Sequence, residues 1–363
     1  DPKQTLTSTW LDIYSQFFMK PGFSKQYRVN NGDSKYAPKW ASELEPFTVK
    51  VPLPFFFDRR RSVSLPLFLC SLSKVEIKGK FRTKLSELIK MRYRMDGDVP
   101  EWIETPYKWN MMHEIHSPDE EVKAPIELYA GYSKINKEER EGWKELIEST
   151  HTKSYKLLYD DIITISSDKV HTEADPFIHD LFCKTPAKAL FWVAQNQEGL
   201  QYNNYSNYTT NSLDINSGKS PITEVSIKHG GTTWRHQDAS SAHFDSMQAW
   251  YHTSSAPFEP GYQCLIYSPN PLGTDADIGA IFDGEVKTSI SLSLKNISKK
   301  QMASAPVENE DAFLANFKEN AKVDTNLLKK YKIYVFIMCM KKMEFFLNEK
   351  VRVYDGNDRI KSS

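Results

Sequence analysis

Between residues 47 and 81 the chain carries three short apolar runs, FTVKVPLPFFF (47–57), SVSLPLFL (62–69) and SKVEIKGKF (73–81), and the first two have proline inside them. Proline lacks a backbone N–H, so Pro52, Pro54 and Pro66 fit neither a helix interior nor a central strand. They are compatible with sheet edges, strand starts and bulges. Around Val75 and Ile77 apolar and polar residues alternate, the period of a half-buried strand. The four residues 58–61 between the first two runs predict a hairpin turn. Such a chain points to sheets rather than to a helical bundle.

Composition supports that direction. Aromatic residues make up 13% of the chain, with 18 Tyr and 20 Phe, side chains that suit a pleated, half-buried surface. The 363 residues suffice for one large or two medium domains. Charge is balanced at 47 basic and 47 acidic residues, which argues against direct nucleic acid binding and against a polybasic membrane surface. Cys70, Cys183, Cys264 and Cys339 are far apart, without zinc-ligand spacing, and each lies in or beside an apolar stretch. Buried free thiols are the expected reading, with disulfides the alternative. The longest strongly apolar run, residues 333–340, is eight residues long; a membrane span needs about 20, so a buried strand is expected. The chain opens Asp1-Pro2 with neither a basic nor an apolar leader segment. No signal peptide is therefore expected, and the missing initiator Met points to processing or to a longer product.

No repeat of solenoid period is present. Residues 95–106, with Asp-Gly and two prolines, read as the connection between a domain at 1–98 and a second at 99–363. Residues 137–150 predict a surface helix: Asn136 can cap it, Glu139 completes a capping box, and Trp143, Leu146 and Ile147 form an apolar stripe. Residues 195–221 are rich in Asn, Tyr, Ser, Thr and Gly and predict a long exposed loop. A second insertion, 299–330, places Phe313, Leu314, Phe317 and Ala321 at helical spacing and predicts a short helix outside the sheets. Strands are expected at 287–294, 333–340 and 351–354, and Gly230-Gly231 should turn a hairpin after residues 222–229.

Candidate chemistry is sparse. His236-Gln237-Asp238 has the spacing of two facial-triad ligands, yet no histidine follows His252 to supply the distal third, and Asp238 sits in a turn-like stretch. His229, His236, His243 and His252 are irregularly spaced, and His113 and His116 lack Cys or Glu at ligand distance. There is no G-x-S-x-G, Walker A or G-x-G-x-x-G motif. The acidic pairs Glu120-Glu121 and Glu138-Glu139 lie on solvated faces. No catalytic residue, metal or cofactor is expected. Arg59, Arg60 and Arg61 form the densest basic cluster, read either as a solvated hairpin tip or as an inter-subunit contact. Asn204, Asn207 and Asn296 head N-glycosylation sequons, the first two in the polar loop where they should be accessible.

The segment 52–81 (PLPFFFDRRRSVSLPLFLCSLSKVEIKGKF) resembles a hallmark of the major capsid proteins of nucleocytoplasmic large DNA viruses. The resemblance runs through Phe55, Phe56 and Phe57, then Arg59–Arg61, Leu65-Pro66-Leu67 and Val75-Glu76-Ile77. More segments follow in the family's order. Residues 127–160 resemble the opening of its second jelly roll, and PAKALFWVAQ (186–195) its P-x-K-x-L-x-W-V-x-Q strand. Residues 222–257 match through Phe244, Gln248, Tyr251, His252 and Thr253; residues 261–269 and 331–354 resemble later strands. Residues 273–283 depart from the family's turn, the 299–330 insertion is longer, and the match starts partway through the first barrel, at residues 10–20.

The resemblance implies an all-β double jelly roll whose first barrel is incomplete at its N-terminus. It implies a structural protein, not an enzyme, forming pseudo-hexagonal homotrimers that tile an icosahedral capsid beside neighbouring capsomers. Minor capsid proteins would lie beneath it, near an internal viral membrane, with assembly in the host cytoplasm and residence in the virion. Residues 195–221 should then face outward. The alternatives are a scaffolding or minor capsid paralogue of the same fold, a metal-dependent jelly-roll oxygenase, and a carbohydrate-binding module.

Overall fold

The computed structural model describes residues 4–19, 48–58, 63–70, 72–82, 87, 91–94, 102–105, 126–212, 215, 218–230, 232–238, 243–273, 279–282, 284–294, 329–347 and 350–354. The chain is mostly β, as expected. Among the described residues, ten strands follow a short antiparallel pair, β1 (Met91–Arg94) and β2 (Trp102–Thr105). Residues 95–106, read as a linker, therefore contain a strand.

The ten strands are β3 (Ser154–Ser166), β4 (Phe177–Leu181), β5 (Cys183–Asn196), β6 (Ile222–His229), β7 (Thr232–Asp238), β8 (Gln263–Ile266), β9 (Ala280–Phe282), β10 (Thr288–Leu294), β11 (Tyr331–Phe346) and β12 (Arg352–Tyr354). One sheet has the order β4-β10-β6-β7. The other is built around β11, with β3 along one edge and β5 and β12 sharing the other; β5 in turn carries β8 and β9. All these pairings are antiparallel. The two sheets face each other across one apolar core. Val225, Ile227, Ile290 and Leu292 enter from the smaller sheet, and Leu190, Trp192, Ile333, Val335 and Ile337 from the larger.

Strand β10 alternates buried and half-buried residues, the signature of a sheet with one covered face. Strands β5 and β11 do not alternate, because both of their faces are covered. The outer face presents Phe191, Val193, Phe336 and Met338 to a helix, α1 (Ser8–Phe17), through Trp10, Ile13 and Phe17. Thr7 caps α1, its hydroxyl accepting from Trp10 N at 3.1 Å. The expected apolar run at 333–340 thus lies inside a sixteen-residue strand.

Helix α2 (Lys137–Ser149) has the predicted capping box: Asn136 Oδ1 accepts from Glu139 N at 2.7 Å, and Asn136 N donates to Glu139 Oε2 at 2.8 Å. Ile147 is buried, but Leu146 points outward. The hairpin at Gly230 forms as expected, with φ +59°.

The three strands expected between 47 and 81 do not form ladders among the described residues. Residues 55–58 make a turn, Leu67–Leu69 a single 3-10 turn, and 74–82 no regular element. In the first two segments proline removes donors that a ladder needs. Apolar side chains there bury singly instead: Phe56, Val63 and Leu69 lie on β3 and β11 beside Tyr159, Met343 and Phe345. The helix expected within 299–330 lies outside the described residues.

Candidate assembly surface and buried polar centre

The ladder between β5 and β11 slips between Ala187 and Ala189, and the extra residue is Lys188. Such a bulge re-aims a side chain, and Lys188 is 1% exposed. Its ammonium donates to Asp160 Oδ1 at 2.7 Å and to the Gly273 carbonyl, while its own carbonyl accepts from Tyr267 N at 2.8 Å. Next along β3, Asp161 pairs with Lys341 at 2.8 Å. A buried charge is tolerated only when paired and hydrogen-bonded; here the pair ties β3, β5 and the turn at 270–273 together. Beside it, Cys183 Sγ donates to Thr185 O at 3.1 Å and Cys339 Sγ to Asp161 O at 3.7 Å. All four cysteines are free and buried. Burial pushes the Cys70 and Cys264 thiols up, away from nucleophilic character.

The polar stretch 195–221 is not the open loop expected. Asn207, Thr209 and Asn204 are buried, and Tyr208 packs against Tyr262. Asn207 organises the fold: its Oδ1 accepts from Thr209 N at 3.0 Å, and its Nδ2 donates to Asn211 O at 2.7 Å. Gly261, at φ +96°, lets the chain pass Tyr208, where an added Cβ would meet the Tyr208 carbonyl at 2.1 Å. Side chain–backbone bonds thus replace the missing aliphatic core. Two sequon asparagines, Asn204 and Asn207, are consequently inside the protein; Asn296 lies outside the described residues. So do Arg59, Arg60 and Arg61, whose preceding turn is anchored by Phe56 against Tyr159, ring centroids 4.5 Å apart.

Two of the described histidines make hydrogen bonds within the fold. His171 is buried with Nδ1 3.1 Å from Asp175 O, and His229 Nδ1 lies 2.8 Å from Thr288 Oγ1. Asp238, expected in a turn, ends strand β7 opposite Glu224, with His236 opposite Ser226. Among the described residues no group of three or more His, Cys, Asp or Glu could hold a metal ion. No helix among them is long and apolar enough to cross a membrane.

What the surface does offer is apolar area. A π-helical turn (His243–Met247) leads into the short helix α3 (Gln248–His252). Phe244 and Ala249 plug it into the body, and Gln248 Oε1 accepts from Ile266 N at 3.1 Å. Trp250 and Tyr251 point outward, 71% and 61% exposed, with Met247 and Phe258 also exposed. Leu72, Val75, Ile77 and Phe81 are exposed within 72–82, as are Ile126, Leu128, Tyr129 and Tyr132 within 126–135. Apolar groups exposed singly are ordinary; where they form a contiguous patch they mark an interaction surface.

Comparison with known proteins gives these features a context. The family model for the N-terminus of major capsid proteins matches residues 3–133. The chain is 20% identical over 310 residues to the major capsid protein of Rana tigrina ranavirus, covering 79% of this chain and 63% of that protein. It is 23% identical over 231 residues to that of Simulium iridescent virus, covering 61% and 45%. The chain thus spans less than two thirds of the length of these relatives. In fold it is similar to PBCV-1 VP54, with a TM-score of 0.58 at 15% identity, and to the subunit of the PBCV-1 capsid quasi-atomic model, with 0.55 at 14%. Both structural matches cover 96% of this chain and 79% of the other. These neighbours are double jelly-roll capsid proteins.

Proposed function

We propose that this chain, a relative of the large DNA virus major capsid proteins in sequence and in fold, is a structural subunit of an icosahedral virus shell. The observation that carries this reading is the collinear similarity to the ranavirus protein over 310 residues, joined to a sandwich whose interior is filled by packed side chains. A packed sandwich whose outer aromatics are unsatisfied performs its work at its surface. Homotrimers fit that chemistry: a closed ring buries one patch of each copy against a different patch of the next and leaves no open chain of contacts. Trimers would then meet neighbouring capsomers, and minor capsid proteins and an internal membrane would lie on the inner side. The Arg59–Arg61 cluster follows an anchored turn and is our candidate for an inter-subunit contact, since Arg pairs well with carboxylates at interfaces. The role is architectural rather than catalytic.

Purified virus particles test this directly. The chain is expected as the dominant protein of the shell, and as a trimer when released and sized. A protein that is strictly monomeric and absent from particles overturns the proposal. One found only in immature particles assigns it to scaffolding instead.

A further inference from the structure

At the end of the large sheet where β12 joins β11, the two faces differ. On one face Leu157, Tyr159, Met343 and Phe345 are buried with Ile147 of α2. Side chains alternate along a strand, so Lys156, Lys342 and Glu344 emerge on the other. The register sets Lys156 and Arg352 on either side of Glu344, and Tyr354 beside Lys342.

This second face is charged and partly open. Glu344 is buried; it accepts from the Tyr354 hydroxyl at 3.0 Å and pairs with Lys342 at 3.2 Å and Lys156 at 3.9 Å. Lys342 also lies over the Tyr354 ring at 4.2 Å, and Arg352 over Phe346 at 4.7 Å. Arg352 is exposed, and the side chains of Lys156 and Lys342 are 47% and 36% exposed. Among the described side chains, three cations against one carboxylate leave two positive charges in excess, on an aromatic floor.

Helix α2 carries the complement, five glutamates against three basic residues. Glu138, Glu141, Glu145 and Glu148 recur at steps of three and four. That spacing sets them in one stripe over roughly a quarter of the helix circumference, turned away from the anchoring Ile147. All four are exposed, and Lys137 reaches Glu141 only at 4.0 Å. The stripe works against the helix. Like charges at these steps repel, and Glu145 and Glu148 sit in a last turn without a basic residue, where the helix dipole disfavours acid. A local electrostatic conflict of this kind points to a partner outside the helix.

Patch and stripe lie on opposite faces of the same sheet, so one chain cannot bring them together. We propose that the face of Lys156, Lys342 and Arg352 docks the glutamate stripe of α2 from a second copy, in a contact between neighbouring trimers that rests on the shell-subunit role. Charge assigns the contact to trimer pairs. Obligate subunit interfaces are the more apolar kind, whereas exposed ion pairs are weak and screened by salt. A head-to-tail contact of two different patches repeats from copy to copy, as tiling requires.

The test uses trimers of the full-length chain. Glu141→Lys, Glu145→Lys and Glu148→Lys together should leave trimers intact and raise the concentration needed for larger assemblies by about tenfold or more. Wild-type assemblies should come apart into trimers as salt is raised. Because the native cysteines are buried, a short bismaleimide should link Glu145→Cys chains to Lys156→Cys chains when the two are mixed, and neither variant to itself. This second readout needs no charge reversal in α2. Wild-type assembly without that cross-link, or a triple variant that assembles like wild type, overturns the contact and leaves the shell role standing. A wild-type chain that stays monomeric at every salt concentration overturns both.

Discussion

At the residue scale, the buried Lys188–Asp160 pair is the most consequential feature that the sequence conceals. In PAKALFWVAQ the lysine stands among apolar neighbours and reads as a strand residue that happens to be charged. Only the extra residue in the β5–β11 ladder turns its side chain into the interior. The neighbouring positions of the same segment then explain themselves: Leu190 and Trp192 face the core, Phe191 and Val193 face α1, and Trp192 Nε1 donates to Gln263 Oε1 at 2.7 Å. Removing one member of a buried pair strands the other, at a cost of about 3–5 kcal/mol. Lys188→Ala should therefore lower stability by about that amount in chemical denaturation. Replacing both partners with Met and Leu should cost markedly less, because no charge is left unpaired. A Lys188→Ala protein as stable as the wild type contradicts this account. Asn207 is the neutral counterpart. Its polar neighbours were legible as a loop, but composition does not say whether a polar segment bonds to water or to itself.

At the scale of elements, helices were legible where capping chemistry was written locally, and strands where an alternating or continuous apolar run also finds a partner strand. The capping box of α2 needed only Asn136 and Glu139, and KTSISLSL forms β10 within a residue of its expected bounds. The segments at 47–81 misled because strand formation needs a partner, which local pattern does not supply. Helix α1 went unread although Trp10, Ile13, Tyr14, Phe17 and Phe18 follow helical spacing. Its role is to cover the outer face of the large sheet, with Trp10 edge-on to Phe191 at 5.5 Å and tilted over Phe336 at 5.6 Å. Because Trp10 is fully buried, Trp10→Ala should destabilise the protein by about 3–5 kcal/mol. It should also release α1, seen as rapid amide exchange over residues 8–17 while β10 stays protected. Uniform loss of protection across both sheets would mean that α1 is part of the core folding unit rather than a cover.

At the scale of the whole molecule, the stable body and the sticky surface are separate. The two-sheet core is closed by its own side chains, so the exposed aromatics of α3 do not hold the body together. Trp250 and Tyr251 pack on each other at 4.8 Å and leave most of their area in solvent. Helix α3 itself is seated by Phe244, Ala249 and the Gln248–Ile266 hydrogen bond. Substituting the outer pair therefore leaves the seating untouched. Aromatic anchors of this kind dominate interface energetics, where loss of one costs about 2 kcal/mol or more, a factor of roughly 30 in association. Trp250→Glu combined with Tyr251→Glu should thus leave the thermal midpoint within a few degrees of wild type, as exposed substitutions usually do. The same variant should lose trimers and larger assemblies in size measurement. If it assembles normally, α3 faces solvent in the shell, and the trimer interface must lie on the exposed apolar residues within 72–82 and 126–135. If it unfolds, the separation of body from surface is wrong at α3.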